Sequence, residues 1–67
     1  MDRVEFEGML VRVVRLGCAE NVDWLFEHHG DVGMSKSALD DAVDMAISQR
    51  HIEVARTLQA RGRALVR

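Results

Sequence analysis

Ser37-Ala38-Leu39-Asp40-Asp41-Ala42-Val43-Asp44-Met45-Ala46-Ile47-Ser48-Gln49-Arg50-His51-Ile52-Glu53-Val54-Ala55-Arg56-Thr57-Leu58-Gln59-Ala60-Arg61-Gly62 is the stretch that decides the fold. Leu39, Ala42, Val43, Ala46 and Ile47 recur every three or four residues, so they share one face of a helix. Asp40, Asp41, Asp44 and Ser48 take the wet face. Ser37 offers a hydroxyl to the first free amides, and Asp40 three residues on completes a pair resembling a capping box. Asp41 adds negative charge where the helix dipole favours it. The phase breaks around Gln49-Arg50. A second stripe, Ile52, Ala55 and Leu58, then runs over about residues 51–61 and stops at Gly62. Two helices with a break between them are expected.

The segment upstream reads the same way. Val4, Phe6, Met9, Leu10, Val13 and Val14 outline a helix over about residues 2–16, broken at Gly17-Cys18. Val22, Leu25 and Phe26 outline a shorter one over about residues 20–29, with Gly30 placed as a left-handed cap. Asp31-Val32-Gly33-Met34-Ser35-Lys36 reads as a polar loop projecting from one edge. The expectation is an all-α fold of two stacked antiparallel helix pairs in a single small domain over residues 1–67. Proline is absent and 48% of the 67 residues are hydrophobic, which argues against an all-β chain and against disorder. A lone cysteine, Cys18, excludes an internal disulfide framework.

Gly30 and Gly62 lie 32 residues apart, each after a longer helix and a shorter one. A slide of 32 sets Val22 on Val54, Phe26 on Leu58 and Val11 on Val43. Residues 41–62 resemble the ankyrin repeat, following its pattern T-A-L-D-L-A-x-x-x-G-H-x-E-V-V-x-x-L-L-x-x-G without a gap. Val43, Met45 and Ala46 match its first helix, His51, Glu53 and Val54 its turn and second helix, and Leu58 the core of that helix. Asp41 stands for the usual threonine, Arg50 for the turn glycine and Thr57 for a leucine. Glu20 to Gly30, with its Trp24-Leu25-Phe26-Glu27-His28 run, looks like the second helix of a preceding unit. The two units span about residues 4–32 and 37–67.

The resemblance implies a non-catalytic module that binds a protein partner, with no cofactor. Carried over by position, the contact surface comprises Asp31, Val32, Met34, Ser35 and Lys36 in the loop, and Asp40, Asp44, Ser48 and Gln49 on the helix. Trp24, beside Leu25 and Phe26, has two readings: packing against the next repeat, or anchoring a partner from a half-exposed position.

Enzymatic readings find less footing. His28 and His29 are adjacent rather than spaced as zinc ligands, and no second cysteine joins Cys18. Asp40, Asp41 and Asp44 fit a wet first turn better than a desolvated acid–base pair. No glycine-rich phosphate loop is present. The net charge of −2 divides into −6 over residues 1–48 and +4 over residues 49–67. The rival reading is therefore a small helical nucleic-acid-binding or regulatory protein using the arginines from Arg50 onward, with Arg56, Arg63 and Arg67 on phosphate. The arginines have no interleaved aromatics, and they also suit the end of a helix, so nucleic acid is the weaker expectation. The longest apolar run is three residues and the start lacks a signal-peptide pattern, so an intracellular, cytoplasmic or nuclear location without a membrane span is expected. About three repeats normally stabilise such a fold. Leu65, Val66 and the outward side of the last helix are thus expected to lack a neighbour, and a homodimer through that helix would cover them.

Overall fold

The computed structural model describes residues 1–66, and Arg67 lies outside the described residues. Four helices form: α1 (Arg3–Leu16), α2 (Ala19–His29), α3 (Lys36–Ser48) and α4 (Ile52–Gly62). Short 3-10 turns, Gly30–Val32 and Arg63–Leu65, follow α2 and α4. The described residues hold no strand beyond one isolated bridge between Met34 and Val66. The chain is all-helical, and its helices enclose one core.

A period runs through these elements, and it is 33 residues rather than 32. Arg3 maps onto Lys36, Ala19 onto Ile52, His29 onto Gly62, and the 3-10 turn at Gly30 onto the one at Arg63. The helix starts match in chemistry too. Asp2 Oδ1 accepts from the Glu5 amide at 2.8 Å, and Ser35 Oγ accepts from the Ala38 amide at 3.1 Å, each capping its helix three residues on. Ser35, not Ser37, is therefore the cap, and α3 starts at Lys36. With the offset of 33, Phe6 falls on Leu39, Val22 on Ala55 and Leu25 on Leu58, all of them buried.

The turns repeat as well. Gly17 closes α1 at φ 73°, and its equivalent Arg50 adopts φ 62°. Both turns require the left-handed region, which costs an ordinary side chain about 1–2 kcal/mol. Arg50 occupies the position where the resemblance expects glycine, so the turn keeps its shape and carries that strain. Gly30, expected to be a left-handed cap, is instead right-handed at φ −64° and runs into its 3-10 turn; Gly62 likewise stays right-handed and ends α4. The positive φ in this region belongs to Gly33, at 80°.

α1 packs on α2 and α3, while α4 packs on α3 and α2. The core comprises Phe6, Leu10 and Val14 of α1, Val22, Leu25 and Phe26 of α2, Leu39, Ala42 and Ala46 of α3, and Val54, Ala55 and Leu58 of α4, with Met34 added by the segment that precedes α3. Phe6 and Phe26 stack with ring centres 6.1 Å apart. Gly62 gives α4 a close approach to α3, since a Cβ there would stand 2.5 Å from Leu39 Cδ1.

Several residues assigned to the apolar stripes are outside the core. Val4, Met9, Ile47 and Ile52 are exposed, because each lies at the edge of its stripe, where no neighbouring helix reaches it. The segment 31–36 does not project. Met34 is fully buried, and its amide donates to the Leu65 carbonyl at 3.0 Å. The chain end is thereby folded back: Leu65 and Val66 are half-buried against the core rather than left without a neighbour.

Two stability outcomes follow from this architecture. Leu58→Asp buries an unpaired charge at a position with 0% exposure, at a cost of about 4 kcal/mol, so it will abolish the cooperative melt seen by circular dichroism. Lys36→Ala, on an exposed side chain, will leave that melt in place. At the paired turns the signs will be opposite. Gly17→Ala will lower Tm, because it meets both the positive φ and the His51 ring 2.5 Å away. Arg50→Gly will raise stability by about 0.5–1 kcal/mol as the strain is relieved.

Candidate protein-interaction surface

The outward face of α3 is fixed by its inward one. With Leu39, Ala42 and Ala46 buried, helical geometry sends Ser37, Asp41, Asp44 and Ser48 to solvent, and all four are exposed. Asp40 and Gln49 are exposed beside them. The face is acidic and hydroxyl-bearing, and its backbone is held rigid from beneath.

Between α1 and α3 runs a groove of about 260 Å³. Leu10, Val11, Ala42 and Met45 form its apolar floor, and Glu7, Asp41, Ser35 and Ser37 its polar rim. The Ser35 amide donates to Glu7 Oε2 at 3.5 Å, which places a carboxylate of α1 at the amino end of α3. That end of the helix carries partial positive charge, so Glu7 is favoured there. A groove with an apolar floor and carboxylates at its rim suits a long side chain with a cationic tip, whose stem lies on the floor. A further groove of about 340 Å³ lies between α3 and α4, lined by Leu39, Asp40, Val43, Asp44, Gln59 and Arg63.

The residues expected to bind divide into three groups. Asp40, Asp44, Ser48 and Gln49 share one helix face and its adjoining edge, and Lys36 and Asp31 are exposed near its start. Met34 is removed from the surface by complete burial, because an apolar side chain between the units is worth more in the core than in solvent. Val32 packs half-buried against the core, and Ser35 is engaged as a helix cap. Trp24 stands apart. It is 49% exposed on α2, which packs on α1 and α4, and its ring stacks on His28 with centres 4.5 Å apart. His28 Nδ1 lies 2.9 Å from the Trp24 carbonyl oxygen, which holds the imidazole in place. The core-packing reading of Trp24 therefore gives way to a surface one, on a different side of the molecule from α3.

Glu7, Val11 and Met45 went unnoticed in the sequence as surface residues. Their contribution arises from α1 lying beside α3, which no local pattern specifies. His51, matched to the turn in the sequence, is half-buried with its ring against Gly17 of the other turn. Two of the arginines are engaged by carboxylates: Arg61 bonds Asp23 at 2.8 Å, tying α4 to α2, and Arg56 lies 3.5 Å from Glu53. Among the described residues, no helix is long and apolar enough to cross a membrane.

No protein-family model, curated protein or solved structure matches this chain.

Because Trp24 lies on the outer surface, Trp24→Ala will cost less than about 1 kcal/mol, and acrylamide will quench Trp24 fluorescence efficiently in the folded chain. A loss of several kcal/mol or a shielded fluorophore would return Trp24 to the core.

Proposed function

We propose that this chain is a non-catalytic protein-binding module of the ankyrin-repeat type, built from two 33-residue units. It takes a partner protein on the exposed side of α3 and in the groove beside α1. One observation carries the reading: every element of the first unit recurs 33 residues later, with like helices packed on like, α1 on α3 and α2 on α4. A helix pair of that length, stacked so that first helices adjoin first helices, is how ankyrin arrays are built. The left-handed backbone at Arg50 supports the same reading, since it meets the family's demand for a turn glycine without having one.

The partner's contact segment is basic. Glu7, Asp41 and Asp44 supply carboxylates, Ser37 and Ser48 supply hydroxyls, and Leu10, Val11 and Met45 supply an apolar floor for a lysine or arginine stem. Lys36 and Asp31 border the surface at the start of α3, and Gln49 borders it at the end. Charge complementarity of this kind sets partner choice and association rate more than total affinity.

Selection of displayed random peptides on the immobilised chain tests the proposal. Enriched peptides will carry Lys or Arg, and the doubly substituted Asp41→Arg, Ser48→Arg chain will bind them at least about tenfold more weakly while keeping its helical spectrum. Peptides indifferent to those substitutions would contradict it. Tight binding of duplex nucleic acid with a steep salt dependence would do so as well, and would favour the arginine-based alternative.

A further inference from the structure

A stacked helix pair buries the side that faces its neighbour and leaves its other side to whatever comes next. For the α3–α4 pair, the neighbour is α1–α2. The opposite side bears the groove between Asp40, Val43 and Asp44 of α3 and Gln59 and Arg63 of α4. Helical periodicity extends these rows along each helix. Ile47 lies one turn beyond Val43, and Ile52 lies two turns before Gln59; these isoleucines are 51% and 50% exposed. Arg56 lies two turns before Arg63. Along the groove the α3 edge is acidic at Asp40 and Asp44, with Lys36 one turn before them, the α4 edge is basic, and two isoleucines stand at the end nearest the turn.

Among the described residues these charges find little satisfaction. Among the described residues neither Asp40 nor Asp44 takes part in an ion pair, and neither does Arg63. Arg56 has a single exposed partner, Glu53, on its own helix. An interaction of that kind is worth little and is readily exchanged.

We infer that this face docks a second copy of the chain, with the two-fold axis running parallel to α3 and α4. The charges select that axis. Rotation about it lays α3 of one copy over α4 of the other, so acid meets base on both sides of the axis. The alternative axis, lying across the helices, sets α3 on α3 and α4 on α4, where like charges oppose.

The levels along the helices also agree. α3 and α4 are antiparallel and joined by Gln49-Arg50-His51, with the His51 amide bonded to the Ala46 carbonyl at 2.8 Å. Leu39 lies level with Gly62, as their close approach requires. Ile47 is then level with Ile52, Asp44 with Arg56, and Asp40 with Gln59 and Arg63. The rotation keeps each level, so Asp44 meets Arg56 of the second copy, Asp40 meets its Arg63, and Ile47 covers its Ile52. Each contact occurs twice, as a two-fold interface demands. This inference does not rest on the partner-binding reading, whose diagnostic residues, Asp41 and Ser48, are not among these contacts.

Charge reversal with rescue tests it, using sedimentation equilibrium on the full chain. The wild-type mass will rise from 7.6 kDa toward twice that value as concentration increases. Asp44→Arg and Arg56→Asp, each verified as helical by circular dichroism, will each weaken self-association by about tenfold or more, since every reversed contact counts twice. An equimolar mixture of the two variants will associate again, because each reversed residue then faces its reversed counterpart. A wild-type chain that stays at 7.6 kDa up to about millimolar concentration would overturn the proposal. So would single variants that associate like wild type, or a mixture that fails to recover.

Discussion

The apolar seam between the two helix pairs is the contact on which everything else depends. A chain of 67 residues can bury only about 60% of its unfolded surface, so neither pair could sustain a core alone. The seam is built from unequal halves. The first unit presents bulk, with Phe6, Leu10, Leu25 and Phe26, while at several facing positions the second presents alanine: Ala42, Ala46 and Ala55. Large side chains set against small ones let the helices approach closely without voids. That closeness makes α1 and α3 neighbours, and so creates the groove whose rim carries Glu7 and Asp41. The candidate surface is a by-product of core packing.

The segments that follow α2 and α4 serve the same seam. Met34, between the units, is locked in by the Leu65 carbonyl, and the 3-10 turn after α4 presses Leu65 toward Gly30. The second unit thus closes on the first through the turn at Arg63–Leu65. Among the described residues, the far side of α3–α4 is dominated by charge rather than bulk, with Val43, Ile47 and Ile52 as apolar members. The acidic outer face and the mixed-charge edge of the same helix adjoin, and Asp44 lies at their border.

Much of the architecture was legible in the sequence. Spacing of three and four located all four helices, whereas the left-handed turn at Arg50 was hidden, because arginine stands where such a turn ordinarily takes glycine. The period was misjudged by one residue because Gly30 and Gly62 look like caps, whereas the left-handed turns sit at Gly17 and Arg50. A glycine in sequence does not reveal whether its freedom is used for positive φ or for close approach, and Gly62 is used for the latter. Ile47 and Ile52 read as core because amphipathic phase identifies a stripe without showing how wide a neighbour covers it. Met34 read as a loop tip because the polar residues around it mask one buried anchor. The acidic side of α3 was legible from its own period, while Glu7, Val11 and Met45 depend on which helix lies beside it, a tertiary fact.

The order of helix neighbours is the claim that most directly separates a stacked repeat from an ordinary four-helix bundle. In an up-and-down bundle α1 adjoins α4 and α2 adjoins α3, whereas here α1 adjoins α3 and α2 adjoins α4. Methyl-resolved nuclear Overhauser measurements on the chain in solution decide between them. The account predicts cross-peaks from Leu10 or Val11 of α1 to Ala42 or Met45 of α3, and from the apolar side chains of α2 to those of α4. Dense cross-peaks joining α1 to α4 and α2 to α3, with none between α1 and α3, would contradict it.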